Sequence, residues 1–285
     1  MADDVYVGKE LGTAELTITD EMVQHYINGL DEPNAWYTSD SPFGGPVAPA
    51  IIFQDISSRF KGWYLPNLYG NLWRQQSWEV HAPVRVGQTL SCNATVSDRY
   101  RKRDRDVVVQ SVWLHDAEGR LVALGMHHQS FLEQTEGGVK LRDASTKEGA
   151  KTHTEPTGEP LSLELKKTLT AEMCDQFFYT SRNYHNDKAE SEKLGFNDVV
   201  VGGRMTLSCI SELLTRHFGR GFYLGGHVDV KFVNVLWLNE PFTTRGVITG
   251  RTQENGHTRA QVAVTCEKAD GTKLIVGTAS ALEDV

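Results

Sequence analysis

Apolar and polar positions alternate along Val107-Val-Val-Gln-Ser-Val-Trp-Leu-His-Asp-Ala-Glu-Gly119, and the alternation resumes along Arg120-Leu-Val-Ala-Leu-Gly-Met-His-His128. A period of two predicts strands, and the Glu-Gly between them predicts a hairpin turn. The pattern returns in Ala260-Gln-Val-Ala-Val-Thr-Cys-Glu-Lys-Ala-Asp-Gly271 and Thr272-Lys-Leu-Ile-Val-Gly277. Gly119 matches Gly271 and Gly125 matches Gly277, both at an offset of 152 (271−119 and 277−125). The chain therefore reads as an internal repeat. Its halves also begin alike: Thr17-Ile-Thr-Asp-Glu-Met22 resembles Thr168-Leu-Thr-Ala-Glu-Met173 at an offset of 151 (168−17). In each, a Thr precedes an amphipathic helix with Glu two residues on, which predicts a helix start.

After each opening helix comes a polar loop and then a Gly-rich turn into a second, more apolar helix. That helix is expected over Phe43-Gly-Gly-Pro-Val-Ala-Pro-Ala-Ile-Ile-Phe53 in the first half. In the second it is expected after Gly195-Phe-Asn-Asp-Val-Val-Val-Gly-Gly-Arg-Met205, running through Ile210-Ser-Glu-Leu-Leu214. A run of strands follows in each half. Half-apolar sheets need cover, which the central helices supply. The units are expected to join sheet edge to sheet edge or helix to helix. Residues 136–160, rich in Lys, Glu, Thr, Gly and Pro, read as an exposed linker between units at 1–135 and 161–285.

Composition narrows the partners. The 285 residues carry 29 Lys plus Arg against 37 Asp plus Glu, a net charge of -8, which argues against a general nucleic-acid binder. No apolar run is long enough to span a bilayer, and the acidic Met-Ala-Asp-Asp start does not read as a signal peptide, so a cytoplasmic location is expected with no membrane partner. Cys92, Cys174, Cys209 and Cys266 form no CxxC pair and read as buried thiols. There is no metal-ligand spacing and no phosphate-binding glycine motif, so no metal or other cofactor is expected.

Several segments together resemble the MaoC-like dehydratase and (R)-specific enoyl-CoA hydratase family in its double hotdog form. They are Trp78-Glu-Val-His-Ala-Pro-Val-Arg-Val-Gly-Gln88, His128-Gln-Ser-Phe-Leu132, Asn183-Tyr-His-Asn-Asp187, Gly195-Phe196 and Val199 to Met205. The resemblance covers nearly the whole chain. It implies an α+β fold of two antiparallel sheets, each wrapping a central helix, in tandem. It also implies a hydro-lyase acting on an acyl thioester, with coenzyme A or a protein-bound pantetheine as carrier.

The family motif is Asp-x-Asn-Pro-x-His, followed by x-Asp and, later, an Ile-x-His-Gly-Met turn. His185 falls on the His and Asp187 on the following Asp, while Thr180 stands where the family has its catalytic Asp. Arg182 and Asn183 occupy the Asn-Pro positions; a one-residue slip puts Asn183 on the Asn and Ser181 on the Asp. Gly202-Gly203 replaces His-Gly, with Arg204 extra before Met205. The first half keeps another remnant, Asp31-Glu-Pro-Asn-Ala-Trp36, with Trp36 in the place of His, and its turn Val47-Ala-Pro-Ala50 lacks the His-Gly pair. The first unit is thus expected to have lost catalysis and to make room for the acyl chain.

Hydration of an enoyl thioester needs a base for water, an acid for C2 and donors for the thioester oxygen. The reading assigns the base to His185, the oxyanion site to Gly203, and water positioning to Asn183 or Tyr184. Gly202-Gly203 is equally read as a plain turn. Three accounts of the missing Asp stand open: Asp187 replaces it, the reaction needs only one acid–base group, or the site binds a thioester without turnover. A binding or structural subunit and a hotdog thioesterase remain the rival functions.

Other features are weaker. Arg204 is read as a carboxylate ligand beside the site, and Arg101-Lys-Arg-Asp-Arg105 as a solvated hairpin tip or a grip on carrier phosphates. Tyr64, Tyr69, Trp73 and Trp78 line a pocket or fill the core, and His127 and His128 face opposite sides of a strand. Sheet edges and apolar helices favour a homo-oligomer, a dimer or larger.

Overall fold

The structure, a computed structural model, describes residues 4–66, 71–132, 155–283 and 285. Its first unit contains β1 (Glu10–Thr17), α1 (Asp20–Leu30), α2 (Ala35–Thr38), β2 (Leu72–Val80), β3 (Thr89–Lys102), β4 (Arg105–His115) and β5 (Leu121–Leu132). The second contains β6 (Glu159–Pro160), β7 (Leu165–Thr168), α3 (Ala171–Phe177), α4 (Lys188–Lys193), α5 (Gly203–Phe218), α6 (Arg220–Gly225), β8 (Gly226–Phe232), β9 (Pro241–Glu254), β10 (His257–Lys268) and β11 (Lys273–Glu283). Most of the segment expected as a linker lies outside the described residues, as does Tyr69; Glu159–Pro160 at its end pairs with β9.

The expected hairpins form. Gly119 and Gly271 take the positive φ (77° and 85°) that their turns require. Gly125 and Gly277 answer a second demand. Gly125 lies opposite Trp78 in the β2–β5 register, and a Cβ there would sit 2.5 Å from the indole. A Cβ on Gly277 would sit 2.2 Å from the Asp229 carbonyl oxygen. Both repeat glycines therefore let a neighbouring strand close. The helix starts hold too: Thr19 Oγ1 accepts from Met22 N (3.2 Å) and Thr170 Oγ1 from Met173 N (3.3 Å).

The two expected sheets are one. β2 pairs antiparallel with β8 from Gln75↔Lys231 to Val80↔Gly226, giving an eleven-stranded sheet in the order β1-β3-β4-β5-β2-β8-β11-β10-β9-β6, with β7 also on β9. Edge joining is thus the observed arrangement. Alternate residues of β3, β9 and β10 turn inward, and α5, buried from Met205 to Thr215, lies against β9, β10 and β11.

The central helix expected over residues 43–53 does not form. Those residues run as turns, closed by i to i+3 bonds such as Ile52 N to Pro49 O (3.0 Å), and end in a 3-10 turn at Ile56–Arg59. Pro46 and Pro49 explain this: each lacks a donor, crowds the carbonyl four residues back and biases its predecessor away from helix. The segment stays buried through Val47, Ala48, Ile51, Ile52, Phe53 and Ile56, so it fills the same place in the core without the helix.

Candidate active site

The loop between α3 and α4 places His185. Asn183 and Asn186 tie the loop to itself: Asn186 Oδ1 accepts from Asn183 N (2.8 Å) and Asn183 Oδ1 from His185 N (2.9 Å). Asp187 ends the loop as the cap of α4, accepting from Ala189 N (2.9 Å) and Glu190 N (3.3 Å), and pairs with Arg182 at 3.0 Å. Those contacts hold its carboxyl below the usual range. On the far side, Val200 bridges to Trp237, and its carbonyl is 2.8 Å from His185 Nδ1.

That bond settles the tautomer. A carbonyl only accepts, so Nδ1 carries the proton and Nε2 is left with a lone pair. Nε2 has no partner among the described residues. The ring is stacked on Phe178 (4.8 Å between centroids) and lies against Tyr184 (3.8 Å). Burial drives its pKa down to about 3; Arg204 adds to the shift and the Val200 bond opposes it. The imidazole is therefore a neutral base throughout the physiological range.

His185 lines a cavity of about 90 Å³ with Tyr184, Phe196, Gly203, Trp73, Phe232 and Leu236. Gly202 and Gly203 are fixed by packing. A Cβ on Gly202 would lie 2.3 Å from Phe178 Cζ, and one on Gly203 2.9 Å from the Trp73 ring. Gly202 caps α5 without a side chain, and the N–H groups of Gly203 and Arg204 find no acceptor among the described residues. Of the two, Gly203 lines the cavity, at the positive end of a sixteen-residue helix.

The structure thus brings together His185, Tyr184, Gly202 and Gly203, and it sets Asn183, Asp187 and Arg204 apart. Asn183 is a loop tie and does not line the cavity. Asp187 caps α4 and does not line the cavity, and no carboxylate among the described residues does. Arg204 turns away to pair with Asp55, its guanidinium 4.8 Å over the Phe178 ring. Thr180, at the motif's Asp position, opens on a different cavity with Arg204 and Asp55.

Among the aromatic residues, Trp73 lines the His185 cavity and stacks on His127 (4.9 Å), whereas Trp78 is core, packed on Phe53 (5.0 Å). His127 reaches Ser57 and Gln129, and His128 reaches Tyr100 on the other face. Burial lowers the His127 pKa to about 4. The Arg101–Arg105 cluster forms the β3–β4 tip, with Arg103 at φ 59°. Phe178, Phe196 and Phe232 were missed by sequence reasoning; only Phe196 lies in a quoted motif.

In the first unit the corresponding loop is packed against other aromatic residues. Trp36 packs with Phe43 (6.3 Å) and Tyr223 (6.1 Å). Asp31 is the exposed C-cap of α1, and the buried acid is its neighbour Glu32, 1% exposed, bonded by the Tyr37 hydroxyl. Burial, with Glu212 nearby, raises the Glu32 pKa to about 8.

With this geometry in place, the architecture is that of a double hotdog protein. Residues 5–124 match the family model described as FAS1-like, dehydratase domain region. No curated protein matches the chain in sequence. Among solved structures, one described as a MaoC-like dehydratase superposes with TM-score 0.75 at 14% identity, covering 97% of this chain and 98% of its own. A MaoC-like dehydratase from Phytophthora capsici gives TM-score 0.74 at 18% identity over 99% of each chain. A conserved hypothetical double hotdog protein from Mycobacterium tuberculosis gives 0.61 at 13% identity, covering 98% and 97%. These findings support the resemblance to MaoC-like dehydratases: residues 5–124 carry the dehydratase-region pattern, and the whole chain carries the double hotdog fold.

Proposed function

We propose that the second unit is a lyase site for enoyl-type acyl thioesters, with His185 as its acid–base group. One observation carries the proposal: a neutral imidazole, its tautomer fixed by Val200 O, borders a cavity whose wall exposes the Gly203 amide. A thioester oxygen set against the Gly203 N–H would have its developing charge met by a donor already in place at the helix start. Nε2 would take the proton from water and return it to C2, so one group serves both steps in the hydration direction. Tyr184 and Trp73 would hold the enoyl plane.

This reading favours the one-group account of the missing Asp, because Asp187 caps a helix and Thr180 faces elsewhere. We take coenzyme A as the carrier, a homodimer as the assembly and the cytoplasm as the location. All four cysteines are buried free thiols, and no described helix is long and apolar enough to cross a membrane. The test is water addition to short enoyl-CoA thioesters, followed by mass, with the wild type beside His185→Ala and Trp36→Ala. Turnover lost in the first variant and kept in the second is expected. Turnover that survives His185→Ala, or release of free thiol in place of hydration, refutes the proposal.

A further inference from the structure

The first-unit strand that joins the two units is irregular beside the His185 cavity. In β2, Val80, Trp78 and Gln76 turn inward and are buried, so strict alternation would send Arg74 inward and Trp73 outward. The register shifts instead. Trp73 pairs with Gln129 and Gln75 with His128, which leaves Arg74 as the extra residue of a bulge. The bulge exchanges the two side chains. The Arg74 charge acts on Tyr100 and His128 on the outer face, and Trp73 enters the second unit's cavity.

Once there, the indole is held by three neighbours. β2 lies between β5 and β8 in the sheet, and Trp73 meets a ring from each: His127 at 4.9 Å and near parallel at 15°, and Phe232 at 4.5 Å. The third is Gly203, where a Cβ would come within 2.9 Å of the indole. His127 is itself fixed. Gln129 Oε1 only accepts, so His127 Nε2 donates to it (2.9 Å), and Nδ1 is left to accept from the Ser57 hydroxyl (3.3 Å). Trp63 packs edge-on against the same imidazole at 5.1 Å.

A Cβ lies about 2.5 Å from its own amide nitrogen, so the indole comes within about 5.4 Å of the Gly203 nitrogen. A thioester oxygen accepting from that N–H at about 2.9 Å would set C2 on the order of 5 Å from the same nitrogen. Trp73 and C2 are then neighbours in one cavity. Resting on the lyase reading, we propose that Trp73 is the specificity-determining residue of this site. It is a wall supplied by the first unit that admits acyl groups unbranched at C2 and rejects those with a substituent there. His127 is its positioning residue. A close-packed ring yields only by displacing its neighbours, and one misfitting methyl against such a wall is worth roughly tenfold or more in selectivity.

The experiment is calorimetric binding of two saturated, unreactive coenzyme A thioesters, butanoyl and 2-methylbutanoyl, which differ by one methyl group at C2. The wild type should bind the unbranched thioester at least tenfold tighter. Trp73→Leu should bring that ratio to about threefold or less by tightening the branched ligand, a gain that misfolding does not imitate. Trp73→Phe should fall between. His127→Ala should lower the ratio as well, and His127→Phe, which keeps a ring against the indole, should restore it. A wild type without preference, a Trp73→Leu that weakens both thioesters alike, or a His127→Phe no better than His127→Ala would overturn the proposal. Hydration of the unbranched butenoyl thioester by the wild type is read separately. A missing preference with hydration intact removes the Trp73 wall alone. A preference without hydration removes the lyase reading and leaves the wall as a property of thioester binding.

Discussion

The two units share a hairpin pattern, a Thr-capped opening helix and a place in one sheet, yet they treat the centre of the hotdog differently. In the second, Gly202-Gly203 opens a full helix, and His185 lines the same cavity as Gly203. In the first, Pro46 and Pro49 break the equivalent segment into turns, and Trp36 packs on Phe43 and Tyr223. Both centres are buried, so burial does not distinguish them. What differs is whether helix N–H groups are left unmet beside a neutral base. A repeat can keep its fold while one copy trades its open amides for packing.

The largest expected effect is at the base. His185→Ala should lower kcat/KM for hydration by about 10²–10⁴-fold, the usual worth of a positioned acid–base group, with little change in thermal stability. Steady-state kinetics beside a melting curve checks both. Next come the glycines. Gly203→Ala places a methyl against Trp73 and Phe232, so the start of α5 must shift. A loss of about 1–3 kcal/mol in denaturant unfolding is expected, with activity falling further than stability. In the first unit, Gly44→Ala should cost less, because nothing lies within 4 Å of a Cβ there and only its φ of 72° resists.

Protonation sharpens the contrast. His185 and His127 are held neutral, at about 3 and 4, whereas unfolded histidine titrates near 6.5. The unfolded state binds more protons as the pH falls below 6.5, so these groups withdraw stability down to their folded values. Glu32 acts oppositely. Its folded pKa, near 8, lies above the unfolded value, so it favours folding below about pH 4.5 and that contribution is lost as pH rises towards 8. Glu32→Gln should keep the Tyr37 contact and flatten the decline in stability between pH 5 and 8, measured by urea titration. The smallest effect is expected from Thr180→Asp. Restoring the family acid should change hydration by less than about twofold, because that position opens on the cavity with Arg204 and Asp55.

The repeat made much of the fold legible. Gly119, Gly125, Gly271 and Gly277 mark turns and close strand contacts, and Thr19 and Thr170 cap as their positions predict. The absent first-unit helix was also written in the chain, as Pro46 and Pro49 inside an apolar run. The apolar run around them reports burial there, though not helix. At the site, His185 stands out by motif, but its partners come from afar: Trp73 from β2, Phe232 from β8 and the Val200 carbonyl from a bridge to Trp237. A backbone acceptor leaves no trace in side-chain identity. Asp187 and Glu32 show the same limit, because a carboxylate's place in a motif does not reveal whether it caps a helix or enters the core.

The central claim is that chemistry rests on an imidazole neutral well below its ordinary pKa. The most direct measurement is kcat/KM for hydration of a short enoyl-CoA between pH 5 and 8. A flat profile that depends on His185 is predicted. An acid limb with an apparent pKa near 6.5, or no hydration at any pH, would contradict the account.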